Sequence, residues 1–389
     1  MQVYLVGGAV RDTLLGRTVT ERDYVVVGAT PAQMLAKGFT QVGKDFPVFL
    51  HPKTSEEYAL ARTERKMGSG YTGFECDAST SVTLEEDLKR RDLTVNAIAR
   101  DQDGELIDPY HGQQDLQNKV LRHVSNAFSE DPLRVFRVAR FATRYAYLGF
   151  TIAEETLSLM TAMAKSGELT SLSAERVWQE TKRSLLEATP EVFFKTLKAC
   201  HGLDHWFAEF SKSESAFDTG IRALQQIQTR TQSQGSNYTA PIEVRFAALC
   251  SGLSLNQVQQ LCKRLKVQNT VSDIAEMVSE HKASLIGNDK LEAETLLTVF
   301  NKTDAWRRPE RFSLFLRALQ PIAVQQLNTK HVDTANSLRW SEREALISHA
   351  LLAANTVDVQ QIIAQGFKGP EIREALNNAK LEKISELLL

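Results

Sequence analysis

The chain has 389 residues, 42% of them hydrophobic, and a formal net charge of −2. That length can bury more than one core, so two to four domains are expected. The near-neutral balance excludes a chain held on nucleic acid by bulk basicity, and any RNA grip must come from local Lys and Arg clusters. No run is long and apolar enough to span a bilayer, the first residues enter a strand with no basic-then-apolar leader, and the four cysteines are scattered without a Cys-x-x-Cys pair. Those features argue against a zinc ribbon or disulfide framework and lead us to expect a cytoplasmic protein.

In chain order, an apolar β-type stretch from Val3 to Val6 breaks at Gly7-Gly8, and a helix then opens with Arg11 in its first turns. Backbone freedom at the glycines, amides at the helix start and a nearby guanidinium suit an anion, although Gly-Gly after a strand is also a common tight turn. Glu21 and Asp23 follow at the start of the apolar run Tyr24 to Val27. Strand alternation puts both carboxylates on one face and Arg22 on the other, an arrangement suited to Mg²⁺ or to a solvated strand end. Glu57 lies on another expected strand, and residues 67–74 form a glycine-rich stretch with two aromatics that reads as a flexible loop.

An acidic helix from Leu84 to Lys89 leads into Arg90-Arg91-Asp92. Asp131-Pro132 then starts a helix with Asp as N-cap and Pro at N1, and apolar residues at helical spacing continue to Ala142. Steps of three, three and four place Arg134, Arg137, Arg140 and Arg144 on one drifting stripe with no acid between them, which reads either as a solvated basic face or as a grip on phosphate. Beyond about Phe128 the periodicity is helical throughout, as in 174–180 and 191–197, with no further strand expected. The polar, breaker-rich stretch 229–241 reads as a linker, and Gly366 to Ile372 as a helix–helix turn or an exposed-amide site for an RNA phosphate.

Taken together, Gly7-Gly8-Ala9-Val10-Arg11-Asp12, Arg90-Arg91-Asp92-Leu93-Thr94-Val95-Asn96-Ala97 and Glu130-Asp131-Pro132-Leu133-Arg134 resemble the motifs of class II tRNA nucleotidyltransferases, the CCA-adding enzymes. The similarity is strongest from Met1 to about Glu180 and patchy afterwards, and bacterial poly(A) polymerases share the first two motifs. The resemblance implies an α+β chain, a polymerase-β-like nucleotidyltransferase head followed by an all-α neck, body and tail. We place the head at 1–125, the neck with its nucleotide-binding helix at 126–228, a degenerate helical body at 242–330 and a tRNA-binding tail at 331–389.

It further implies template-independent addition of CCA to the tRNA 3′ end from CTP and ATP, with release of pyrophosphate. Glu21 and Asp23 would hold Mg²⁺, and Glu57 would be a third carboxylate, acting as base or supporting the metal. Gly8, Arg11, Arg91, Arg137 and Arg140 would hold the nucleotide, Asp92 would meet the ribose, and Asp131 and Arg134 would read the base edge. That reading is chemically apt, because a carboxylate accepts from the amino group of C or A while a guanidinium donates to ring nitrogens or a carbonyl. Residues 67–74 resemble the family's mobile loop for the final A. Partners would be the tRNA acceptor end and elbow with the two nucleotides, with no membrane and no obligatory protein partner.

Two departures stand out. The family's Asp-x-Asp begins here with Glu21, whose extra methylene moves the carboxylate by roughly 1.5 Å. After Arg245 to Leu249, where many relatives carry the His-Asp pair of a phosphohydrolase, the chain reads Cys250-Ser251-Gly252, so no such activity is expected. Rival readings are a partial enzyme adding only CC or only A, a poly(A) polymerase, and a non-catalytic RNA-binding protein on a decayed scaffold.

Overall fold

A computed structural model describes residues 1–42, 48–66, 74–233, 240–287, 290–327 and 333–389. The chain divides into two compact units, Met1–Trp206 and Phe207–Leu389. The first opens with β1 (Gln2–Val6), α1 (Gly8–Leu14), β2 (Asp23–Val27), α2 (Pro31–Ala36), β3 (Thr40–Val42), β4 (Val48–Leu50), β5 (Glu57–Leu60), β6 (Thr63–Lys66), β7 (Phe74–Asp77) and α3 (Leu84–Lys89). It continues through β8 (Ala99–Arg100), β9 (Leu106–Ile107), α4 (Gly112–Asn118), β10 (Val120–Leu121), α5 (Leu133–Tyr145), β11 (Thr151–Ile152), α6 (Glu154–Lys165), α7 (Ala174–Leu185) and α8 (Glu191–Ala199).

Seven strands form one mixed sheet in the order β3-β4-β5-β2-β1-β8-β9. Its centre explains the uninterrupted valines of β2. Val25 joins a cluster with Val6, Leu88 and Ala99 on one side, while Val26 joins Met34, Phe49 and Leu60 on the other. A strand covered on both faces is apolar on both, and each fully buried side chain of this size contributes about 1.5–3 kcal/mol. The pairing then fixes where the polar ends gather. β1 runs antiparallel to β2 with Val6 opposite Asp23, and β2 runs parallel to β5 with Asp23 opposite Glu57. The exit of β1 and the starts of β2 and β5 therefore share one end of the sheet.

α3 starts in a capping box of Thr83 and Glu86. α5 buries Val135, Phe136, Val138 and Ala139 completely, with the Phe136 and Phe193 rings 6.4 Å apart. One expectation fails here. A strand does follow Phe128, because β11 pairs in parallel with β10; with two residues it is too short to leave a period in the sequence.

The second unit is helical: α9 (Ala208–Ser211), α10 (Glu214–Ser233), α11 (Ile242–Leu249), α12 (Leu255–Leu265), α13 (Asn269–Leu285), α14 (Ala293–Lys302), α15 (Pro309–Leu327), α16 (Asp333–Asn355), α17 (Val359–Ala364) and α18 (Pro370–Leu388). Two glycines allow α10 to approach its neighbours. A Cβ on Gly220 would stand 2.2 Å from the Leu249 carbonyl oxygen, and one on Gly252 would stand 2.5 Å from that of Ala216. The division at 206/207 falls inside the segment expected as one neck. α10 also runs to Ser233, into the expected linker. Gly369, with φ 56°, opens α18 after a turn. Among the described residues no helix is long and apolar enough to cross a membrane.

Candidate active site

A cavity of about 550 Å³ in the first unit gathers most of the sequence-derived site residues. Its lining includes Gly7, Gly8, Arg11, Glu21, Asp23, Arg91, Asp92, Asp131, Arg134, Arg137 and Arg140. Nucleotide-sized ligands occupy cavities of this order.

The glycine corner comes first. Gly7 adopts φ +66°, which L side chains avoid, and a Cβ there would stand 3.0 Å from an Arg91 guanidinium nitrogen. Gly8 begins α1. Arg11 is only 5% exposed; its Nε donates to Asp12 at 3.0 Å, another of its nitrogens donates to Asn96, and its guanidinium lies over the Phe141 and Tyr145 rings at 5.3 and 5.2 Å.

The carboxylates sit at the sheet edge. Glu21 precedes β2 rather than lying in it, so strand alternation does not by itself place it beside Asp23, yet both line the cavity. Arg22 turns to Glu56 at 3.7 Å. Partial burial raises the Asp23 pKa, Arg91 pulls against that, and Glu21 adds to it. Two neighbouring carboxylates, one held above its ordinary range, form a like-charge pair that a divalent cation would relieve, so these residues fit such an ion. Glu57 shares Asp23's register but is not part of the cavity lining. Among the described residues no three His, Cys, Asp or Glu groups cluster closely enough to hold one metal. Glu57, expected as a third carboxylate, therefore does not join the pair as one cluster.

α5 supplies the opposite wall, and its arginine stripe is neutralised by acids from other elements. Asp92 is 7% exposed and accepts from Arg137 Nε at 2.8 Å, from Asn96 at 2.9 Å and from the Leu93 amide at 2.9 Å. Burial opposes its ionisation, but Arg137, Asn96 and Arg134 outweigh that and hold it far below the ordinary carboxylate range. Arg140 donates to Glu180, and both side chains are buried. The cap position expected for Asp131 falls to Pro132, so α5 starts one residue later than its sequence signal; Asp131 stands just before it, its Oδ1 accepting from the Leu133 amide at 3.1 Å, while Oδ2 accepts from Arg176 at 2.9 Å. Arg134 donates to the backbone carbonyls of Ala127, at 2.7 Å, and Arg90.

Sequence reasoning missed Arg176 and Arg183, which also line the cavity, and Glu180. All three lie on α7, read only as an amphipathic helix. Their spacing of four and then three puts them on one face, a polar stripe with buried Glu180 at its centre, and that spacing was the available signal. Asn96 and Asp12 hold Arg11. The glycine-rich stretch 67–73 lies outside the described residues.

Comparison with known proteins shows the family and the fold. The poly A polymerase head domain family matches residues 3–122, and the family described as a probable RNA and SrmB-binding site of polymerase A matches residues 149–213. A solved CCA-adding enzyme in complex with ATP shares the fold at TM-score 0.68 and 21% identity, over 98% of this chain and 86% of that one. The Thermotoga maritima CCA-adding enzyme complexed with tRNA superposes at TM-score 0.66 and 19% identity, over 100% and 90% of the two chains. A multifunctional CCA protein of Pseudoalteromonas atlantica is 49% identical over 99% of each chain. With 58% identity to the CCA-adding enzyme of Alteromonas mediterranea over 100% of both chains, this chain belongs to the CCA-adding enzyme family.

Proposed function

We propose that the chain adds CCA to the 3′ end of tRNA from CTP and ATP, without a nucleic-acid template and with release of pyrophosphate. The observation that carries the reading is one cavity that holds a carboxylate pair at a sheet edge together with Asp131, just before α5, and Arg134 on α5. That lining supports a reading in which fixed side chains take the part of a template base.

Glu21 and Asp23 would hold Mg²⁺, which when bound would lower the pKa of the attacking 3′-hydroxyl and offset charge on the triphosphate. The chain's own groups do the rest. Arg11, Arg91, Arg137 and Arg140, with the Gly8 amide, bind and orient the nucleotide. Asp131 accepts from the amino group of cytosine or adenine while Arg134 donates to the same edge, so uracil and guanine present mismatched groups. For this Asp131 exchanges its Arg176 partner for the base, or shares the oxygen between them. Asp92 keeps Arg137 and Asn96 in place beside the ribose, and Glu57, in register with Asp23, serves as base or support for the carboxylate pair. The helices at 242–330 and 331–389 hold the tRNA body and elbow, and the enzyme works in the cytoplasm. Cys250-Ser251-Gly252 supplies no His-Asp ligands, so no metal-dependent hydrolysis of cyclic nucleotides is expected.

The test supplies tRNA transcripts ending before CCA, after C and after CC, with labelled CTP or ATP and Mg²⁺. Addition of CCA followed by a stop supports the reading. Long A tails, CC alone, A alone or no incorporation would each select a different protein. Joint replacement of Asp131 and Arg134 by Ala should abolish the preference for CTP and ATP over UTP and GTP.

A further inference from the structure

Asp87 has no place in the reading above, yet it is a carboxylate with no solvent exposure at all, and every partner named for it belongs to the cavity wall or to the root of the β6–β7 hairpin. Its two oxygens are divided between two duties. Oδ1 accepts from Arg90 at 3.1 Å (Nε) and 2.8 Å (Nη2) and from the Arg62 amide at 3.3 Å. Arg90 Nε also donates to the Arg62 carbonyl at 3.1 Å. Both backbone polar groups of Arg62, the residue before β6, are therefore clamped by the Asp87–Arg90 pair. Oδ2 accepts from Arg91 Nη2 at 3.2 Å. The other end of the Arg91 guanidinium points to Gly7, on the cavity side next to Asp23.

We infer that Asp87 is a positioning residue for nucleotide binding, acting through Arg91: one oxygen fixes the hairpin root and the other sets the Arg91 guanidinium against the Gly7 corner. The inference rests on the assignment of Arg91 as a nucleotide contact. An arginine has several rotatable bonds, and without an anchor it would sample orientations in which its charge does not face the triphosphate. A buried carboxylate oxygen removes that freedom before the nucleotide arrives.

The chemistry makes Asp87→Asn a selective probe. An amide that keeps its oxygen toward Arg90 and the Arg62 amide must turn its NH₂ toward Arg91, a donor facing a donor, so the Arg91 anchor is lost while the hairpin clamp keeps an acceptor. Binding of ATP and of CTP, measured by calorimetry on the full chain, should weaken about 10- to 100-fold in Asp87→Asn, the range for one charge-assisted bond. The double variant Asp87→Asn/Arg91→Ala should bind within about twofold of Arg91→Ala alone, because Asp87 then has nothing left to position. A purely structural role gives a different result: losses that multiply in the double variant, or a lowered unfolding temperature with nucleotide binding by the folded protein unchanged. Either overturns the inference. If Asp87→Asn does not fold, the same cycle is run with Asp87→Glu, and multiplied losses there overturn it equally. Direct binding is read independently of transfer, so failure of wild type to add C and A to tRNA would sink the functional reading while leaving this cycle to be decided on its own.

Discussion

Buried charge is used differently in the two compact units. In Met1–Trp206 it forms linked chains: Asp92 with Arg137, Arg137 with Glu180 at 4.0 Å, Glu180 with Arg140, and Asp87 with Arg90 and Arg91. All of these arginines face one cavity. In Phe207–Leu389 buried polar groups are met at scattered places, Glu209 by Arg264 at 2.6 Å, Arg245 by the Ala240 carbonyl at 2.9 Å and Lys380 by the Trp306 ring at 3.6 Å. Close backbone approach, as at Gly220, marks that unit instead. A buried ion pair contributes little net stability compared with a well-packed apolar pair. Chains of them concentrated around one cavity therefore point to function, and scattered contacts to packing.

The comparison breaks most sharply at Asp23. Asp23→Asn should lower transfer by ~10³-fold or more, since a metal and its ligands supply several kcal/mol of transition-state stabilisation. The sign for stability is opposite. The folded-state pKa of Asp23 is raised, chiefly by partial burial, so the ionised carboxylate opposes folding once pH exceeds its unfolded value. The melting temperature of the metal-free Asn variant at pH 7 should therefore hold or rise. A clear fall would mean that Asp23 is a packing residue.

Gly220→Ala probes the other unit. Its Cβ would meet the Leu249 carbonyl, and overpacking of this kind costs about 1–3 kcal/mol. Denaturant melts should show that loss while ATP affinity stays unchanged, because the whole cavity lining comes from the first unit. A shift in ATP affinity would mean that the two modes of burial are not separable.

A smaller, pH-dependent effect distinguishes the linked chain. Asp92 has a depressed folded-state pKa, so its stabilisation is present above the unfolded carboxylate value of about 3.9 and fades as pH falls below it. In urea melts Asp92→Asn should be less stable than wild type at pH 7, and the gap should narrow at pH 3. A gap that does not change with pH would show that the ion pair is not what Asp92 contributes.

Glu21→Asp should have the smallest effect, with turnover retained or raised, since it shortens the side chain by one methylene and keeps the carboxylate. A sharp fall in primer extension would remove Glu21 from the metal-binding role.

Much of the site was legible because local spacing fixes local geometry. Gly7-Gly8 between a strand and a helix and an arginine stripe stepping by helical turns each follow from neighbours a few residues away, and the structure places them as the spacing requires, with the start of α5 one residue beyond its Asp-Pro signal. What that spacing could not name was the partner of each buried charge. Arg137 meets Asp92 and Arg176 meets Asp131 across 45 residues of sequence, and Arg140 meets Glu180 across 40. A helix face is set by its period, but whether water or an acid covers that face depends on which element packs there. The same holds for the division at 206/207 and for the two-residue strand β11. The sequence by itself therefore determined which groups could do the chemistry, and the tertiary structure alone decided which of them are held, and by what, because desolvating a charge forces it to find a counter-charge wherever the fold brings one.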